Sequence, residues 1–128
     1  MRFRRGESFR FEFEHPLNAT FRVIEVNGVE KTTHPAQAEI KNLSPHGIKL
    51  LTSLNMQLAN VETIKAEIHF SLNENNPLVV KGIFIWQKEE LKGYSYGIEI
   101  ESTEEGEKKI IEELKKFSRG TVYVKRKN

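Results

Sequence analysis

Apolar and polar positions alternate with a period of two through most of the first hundred residues. Phe9, Phe11 and Phe13 alternate with Arg10, Glu12 and Glu14, the pattern of a strand with one face in a core and the other in water. Pro16 interrupts that run, since proline has no amide hydrogen to give a ladder. A second run, residues 19 to 26, closes at Asn27-Gly28, a strong hairpin signal. Residues 36 to 40 alternate again and enter Asn42-Leu43-Ser44-Pro45-His46-Gly47, after which the chain resumes as Ile48-Lys49-Leu50-Leu51. Ile64, Ala66, Ile68 and Phe70 alternate with Lys65, Glu67, His69 and Ser71. Leu78 to Trp86 is more continuously apolar, which predicts a strand covered on both faces, with Trp86 in the core. Tyr94, Tyr96, Ile98 and Ile100 form the last such set. Short runs separated by turn residues predict an antiparallel barrel or sandwich rather than βαβ units.

The period changes once. Ser102-Thr103-Glu104-Glu105 reads as a capping box, with the Ser102 hydroxyl accepting from a first-turn amide and Glu105 reaching back. Ile110, Ile111, Leu114 and Phe117 then fall at helical spacing on one face. Glu104, Glu105 and Glu107 stand at the positive end of the helix dipole, and Lys115 and Lys116 at the negative end. Gly120 is a natural stop, so the pattern predicts a helix over 102–119. Its apolar stripe must be buried, and one open end or face of the barrel is the available partner. Residues 121–124 read as an extra strand or a tail.

Composition narrows the function classes. A chain of 128 residues supports one domain spanning 1–128. Cysteine is absent, which excludes disulfides and thiolate metal sites. No apolar stretch approaches the roughly 20 residues that cross a bilayer, and no apolar segment of the signal-peptide kind follows the basic Met1–Gly6 stretch. A cytoplasmic location is therefore expected. The net charge is only +2, but residues 1–10 hold four arginines against one glutamate, and residues 115–128 hold six cations and no acid. The span between is acidic, with 10 basic and 17 acidic side chains. Basic ends on an acidic body do not make a broad nucleic-acid face; they suit a few cations presented to a small anion. Solubility alone accounts for the same distribution.

The sharpest chemical signal is Asn42-Leu43-Ser44-Pro45-His46-Gly47. A short amide and a hydroxyl two residues apart can project from one strand face, and a glycine lets backbone approach a ligand or take positive φ. A turn in which Asn42 and Ser44 bond their own backbone explains the same residues. His15, His34, His46 and His69 lack the HxH or HExxH spacing of metal sites. There is no glycine-rich phosphate loop and no GxSxG elbow, so nothing points to catalysis and no cofactor is expected. Lys49 is a lesser ligand candidate, with a solvated strand face as the alternative.

These six residues match the (D/N)xSxxG motif of PilZ domains. The chain resembles that family from about residue 3 to residue 118: an arginine-rich opening, strands, the motif, further strands with Trp86 in the sixth run, Tyr96-Gly97-Ile98-Glu99-Ile100, and a capped helix. The resemblance implies a six-stranded antiparallel, Greek-key-like β-barrel with a C-terminal α-helix, and binding of cyclic di-GMP. It also implies that an N-terminal RxxxR pair closes over the ligand. Here no two arginines stand four apart; Arg5 and Arg10 come nearest, with one residue more between them. Residues 1–10 are then a flexible basic arm. The expected ligand contacts are Arg5 and Arg10, with Arg4 as substitute, together with Asn42, Ser44 and Gly47. A guanidinium fork suits the O6 and N7 acceptors of guanine and can stack on the purine or bridge a phosphate. Ligand binding would order the arm and present a changed surface to a downstream protein. Two rivals stay open: a PilZ-like interaction module without nucleotide binding, and a single-stranded nucleic-acid binder using Phe9, Phe11 and Phe13.

Overall fold

A computed structural model describes the backbone of residues 10–127 and the side chains of residues 10–119. Arg4, Arg5 and Phe9, and with them all but the last residue of the expected arm, lie outside the described residues. Seven strands precede one helix: β1 (Phe11–Val26), β2 (Val29–Glu30), β3 (Ala36–Ser44), β4 (Gly47–Thr52), β5 (Ile64–Ser71), β6 (Pro77–Glu90), β7 (Gly93–Ile100) and α1 (Glu104–Lys127). All pairings are antiparallel, in the order β2-β1-β3-β4-β7-β6-β5. Pairing of β1 with β5 closes six strands into the expected barrel, and two-residue β2 is an addition on β1.

The inward positions of every long strand fill one core, from Phe21, Ile40 and Leu43 to Leu50, Ile68, Tyr96 and Ile98. Burying each such side chain contributes roughly 1.5–3 kcal/mol, and the period-two alternation exists to put them there. Tyr96 is fully buried, yet its hydroxyl donates to the Leu54 carbonyl and accepts from the Met56 amide, each at 2.7 Å. Burial pushes this phenol above its ordinary pKa.

The helix seals one end. Ile110 and Leu114 are buried, and Phe117 packs edge-on against Phe11 and Phe13, with ring centroids 5.6 and 5.4 Å away. Phe13 is therefore core and Phe11 half-covered, so these two rings are not free to stack bases. Asn73, in the β5–β6 turn, donates 2.8 Å to the Glu113 carboxylate and fastens the helix from the other side.

Four local expectations are corrected. The run broken at Pro16 is one strand, with the proline inside a register shift between Glu12 and Leu17 where no ladder bond is asked of it. The helix cap is Thr103, whose hydroxyl accepts from the Gly106 amide at 3.0 Å, while Ser102 Oγ donates to the Pro45 carbonyl at 3.2 Å. The helix starts at Glu104 rather than 102 and continues through Gly120 to Lys127 instead of stopping at 119; a glycine inside a helix costs about 1 kcal/mol, which does not by itself end it. Lastly, β6 is not covered on both faces: Val79, Ile85 and Trp86 are 53, 56 and 42% exposed.

Candidate functional site

The exposure of Trp86 has a local cause. Phe84 pairs with Ile98, but Trp86 pairs with Gly97, leaving Ile85 as an extra residue in β6. Such a bulge bends the strand and re-aims the side chain that follows. Strict alternation after inward Phe84 would turn Trp86 into the core; the bulge turns it out. A second bulge does the same in β3. Ile40 pairs with Leu50 and Asn42 with Lys49, so Lys41 is surplus. Ile40 and Leu50 face the core, whereas Asn42 faces outward beside Lys49.

Together the two bulges assemble a row across the barrel's outer surface. Glu12 of β1 stands opposite Asn42 of β3, Asn42 opposite Lys49 of β4, Lys49 opposite Gly97 of β7, and Gly97 opposite Trp86 of β6. Residues directly opposite in a ladder share a face. The indole lies across Gly97 so closely that a Cβ there would overlap Trp86 Nε1. Only glycine leaves room for the ring to lie over the strand.

Arg10 stands at the head of the row. Its Nη1 donates 2.8 Å to Asn42 Oδ1, and Asn42 is only 8% exposed beneath it. Arg10, Asn42, Gly47, Lys49, Trp86 and Gly97 all line one cavity of about 320 Å³. The Arg10 guanidinium and the Lys49 ammonium bring positive charge, and the indole adds an aromatic face. Glu99, also in the lining, offers an acceptor. The arrangement suits an anionic, planar, hydrogen-bonding molecule. His46 also lines the cavity.

The motif divides in its duties. Asn42 and Gly47 line the cavity, but Ser44 does not. Ser44 is fully buried, and its Oγ accepts from the amides of His46 and Gly47 at 3.3 and 3.1 Å, closing the β3–β4 turn as a hydroxyl turn does. Gly47 is not among the described residues with positive φ. His46, on the turn, reaches towards the helix: Nδ1 is 3.1 Å from Ser102 Oγ and Nε2 is 3.8 Å from Glu107. Ser44→Ala leaves two turn amides without their acceptor and is expected to cost about 1–3 kcal/mol of stability. Urea unfolding beside ligand titration separates the roles: lost affinity at unchanged stability would mean that the hydroxyl touches ligand.

The family model of the PilZ domain matches residues 4–116 of the chain. The chain belongs to the PilZ domain family. The matched span of this PilZ domain covers the whole barrel and the first half of α1. No curated protein matches the chain.

Of the six ligand contacts expected from sequence, the PilZ domain brings Arg10, Asn42 and Gly47 together round the cavity and sets Ser44 beneath the turn. Arg4 and Arg5 precede the described residues. Trp86 and Gly97 escaped the sequence reading. The signal available was a tryptophan in a run too apolar to show its phase, and a glycine between two aromatic or apolar neighbours, Tyr96 and Ile98. Among the described residues no helix is long and apolar enough to cross a membrane.

Proposed function

We propose that this PilZ domain is a receptor for cyclic di-GMP that passes its occupancy to a partner protein and catalyses nothing. The observation that carries the reading is the placement of Arg10 on Asn42, in a cavity that also holds Lys49 and the face of Trp86. Guanine offers O6 and N7 to a guanidinium fork; the phosphate takes charge from arginine or lysine; the indole gives the purine a stacking surface. Gly47 and Gly97 keep the floor low enough for close approach. Arg5, or Arg4 in its stead, closes over the ligand from the arm, and the extra residue between Arg5 and Arg10 is taken up by the chain around Gly6. Ordering that arm changes the surface shown to the partner.

Two readouts test the reading on one protein. Calorimetric titration with cyclic di-GMP is expected to give saturable binding. Trp86 is the sole tryptophan of the chain, so intrinsic fluorescence should be quenched along the same isotherm as a guanine stacks on it. A flat calorimetric titration at high ligand concentration overturns the receptor reading. Calorimetric binding without any change in fluorescence keeps the receptor and removes the indole from the contact set.

A further inference from the structure

A cavity of about 320 Å³ lies at the low end of the roughly 300–1,000 Å³ that pockets for drug-sized ligands occupy. A cyclic dinucleotide carries two purines and two phosphates on one ring. One base and one phosphate fill such a cavity, and the other half of the molecule must lie over its rim. Two depressions adjoin it, one sharing residues of β6 and the other Lys49 of β4, and they differ in charge.

On the β6 side, Ile85 and Trp86 are shared with a depression of about 650 Å³. Its other walls are Leu58, Gln87, the amides around Asn55, and Tyr94, which both depressions share; its charged lining is Glu89 alone. On the β4 side, Lys49 is shared with a groove of about 700 Å³ that runs over the outer faces of β3 and β4 to the β6–β7 turn. Lys41, Lys49 and Lys92 line this groove with Glu39 and Glu90, and Tyr94 forms part of its wall. Glu90 is already engaged, its Oε2 accepting from Ser95 Oγ at 2.7 Å. Lys41 is the bulged residue of β3, immediately before Asn42. From Lys49 to Ser53 the groove follows four residues of β4 and its exit, about 13 Å at 3.3 Å per residue.

We propose that this groove is a second ligand subsite, in which the distal phosphate and base of the cyclic dinucleotide lie past Lys49 against Lys41, Lys92 and Tyr94. The inference rests on the receptor reading above and adds a direction to it. A phosphate leaving the motif cavity meets a lone carboxylate on one side and, on the other, three ammonium groups against two carboxylates, a balance of one positive charge. The cations are mobile at the tip of long stems, so they can close on an anion that arrives. Lys49, common to both spaces, sits between the two phosphates. The Tyr94 ring, half-buried at the far wall, gives the distal purine a surface to rest on.

The test compares cyclic di-GMP affinities by calorimetry in 50 and 200 mM salt. A Lys41→Ala/Lys92→Glu double variant is expected to bind about tenfold more weakly at low salt, the scale of one charge-assisted contact, and the difference should shrink at high salt. Glu89→Gln and Gln57→Ala, on the other side, should bind as the unaltered protein does. As a second measurement that needs no variant, saturating cyclic di-GMP should protect Lys92 and Lys41 from an amine-acetylating reagent, read by mass spectrometry, while Lys108 reacts as before. Unchanged affinity in the double variant together with unprotected lysines overturns the subsite and leaves the receptor standing. A flat titration of the unaltered protein removes both.

Discussion

Arg10→Ala should weaken cyclic di-GMP binding by roughly 10- to 150-fold while leaving the barrel folded. Arg10 lies exposed just before β1, bonds Asn42 through Nη1 and lines the cavity. Hydrogen bonds to a charged group contribute about 1.5–3 kcal/mol, and about 1.4 kcal/mol is tenfold in affinity. Arg10→Lys keeps the charge and loses the planar fork, so it should recover only part of the loss. Calorimetry measures the affinity, and the thermal midpoint, expected within a few degrees of the unaltered protein, shows that the effect is local. An Arg10→Ala protein that binds as tightly as its parent would remove this arginine, and the cavity round it, from the argument.

Leu43→Ala is expected to do the opposite. Leu43 stands between two motif residues, but it is fully buried and pairs with Phe11 on one side and Ile48 on the other, all inward. Removing such a side chain costs about 2–5 kcal/mol, because the cavity it leaves closes only in part. For a chain of this size that is a fall of roughly 8–20 °C in the thermal midpoint. What remains folded should bind ligand with nearly the original affinity, since the side chain faces away from Asn42 and its neighbours. A midpoint within 2 °C of the parent would mean that this end of the barrel is packed more loosely than its burial indicates. The pair of substitutions separates the two faces of a single six-residue motif.

Much of this architecture is written plainly in the chain. Alternation alone marks the inward side of β5, from Ile64 to Phe70, and of β7, from Tyr96 to Ile100, because neither contains an irregularity. The helix is equally clear, since Ile110, Leu114 and Phe117 have no other way to be buried together. What alternation conceals is a change of phase inside an apolar run. Ile83-Phe84-Ile85-Trp86 offers no polar residue to show which positions face out, so the bulge at Ile85 is silent and the tryptophan reads as core. Lys41 before Asn42 is silent for a related reason: a lysine followed by an asparagine looks like a strand end, not a strand that has gained a residue. Ser102 and Thr103 are chemically equivalent as caps, and the choice between them was made by Pro45, a residue far away in sequence. Ser44 likewise carries a hydroxyl that a ligand could use, and only the turn's own amides show where it points.

Because β1 meets β5, the ring of strands has no beginning and no end. Among the described residues the closed ring leaves a neighbouring protein no long row of unpaired peptide groups, the common route by which open sheets recruit extended segments; two-residue β2 is too short a template to serve. A partner docking on the described barrel would have to do so through its side chains. In the proposed receptor a second route for the signal, beside the arm, would run through His46, which belongs to the motif turn and lies in reach of Ser102 and Glu107 at the start of the helix.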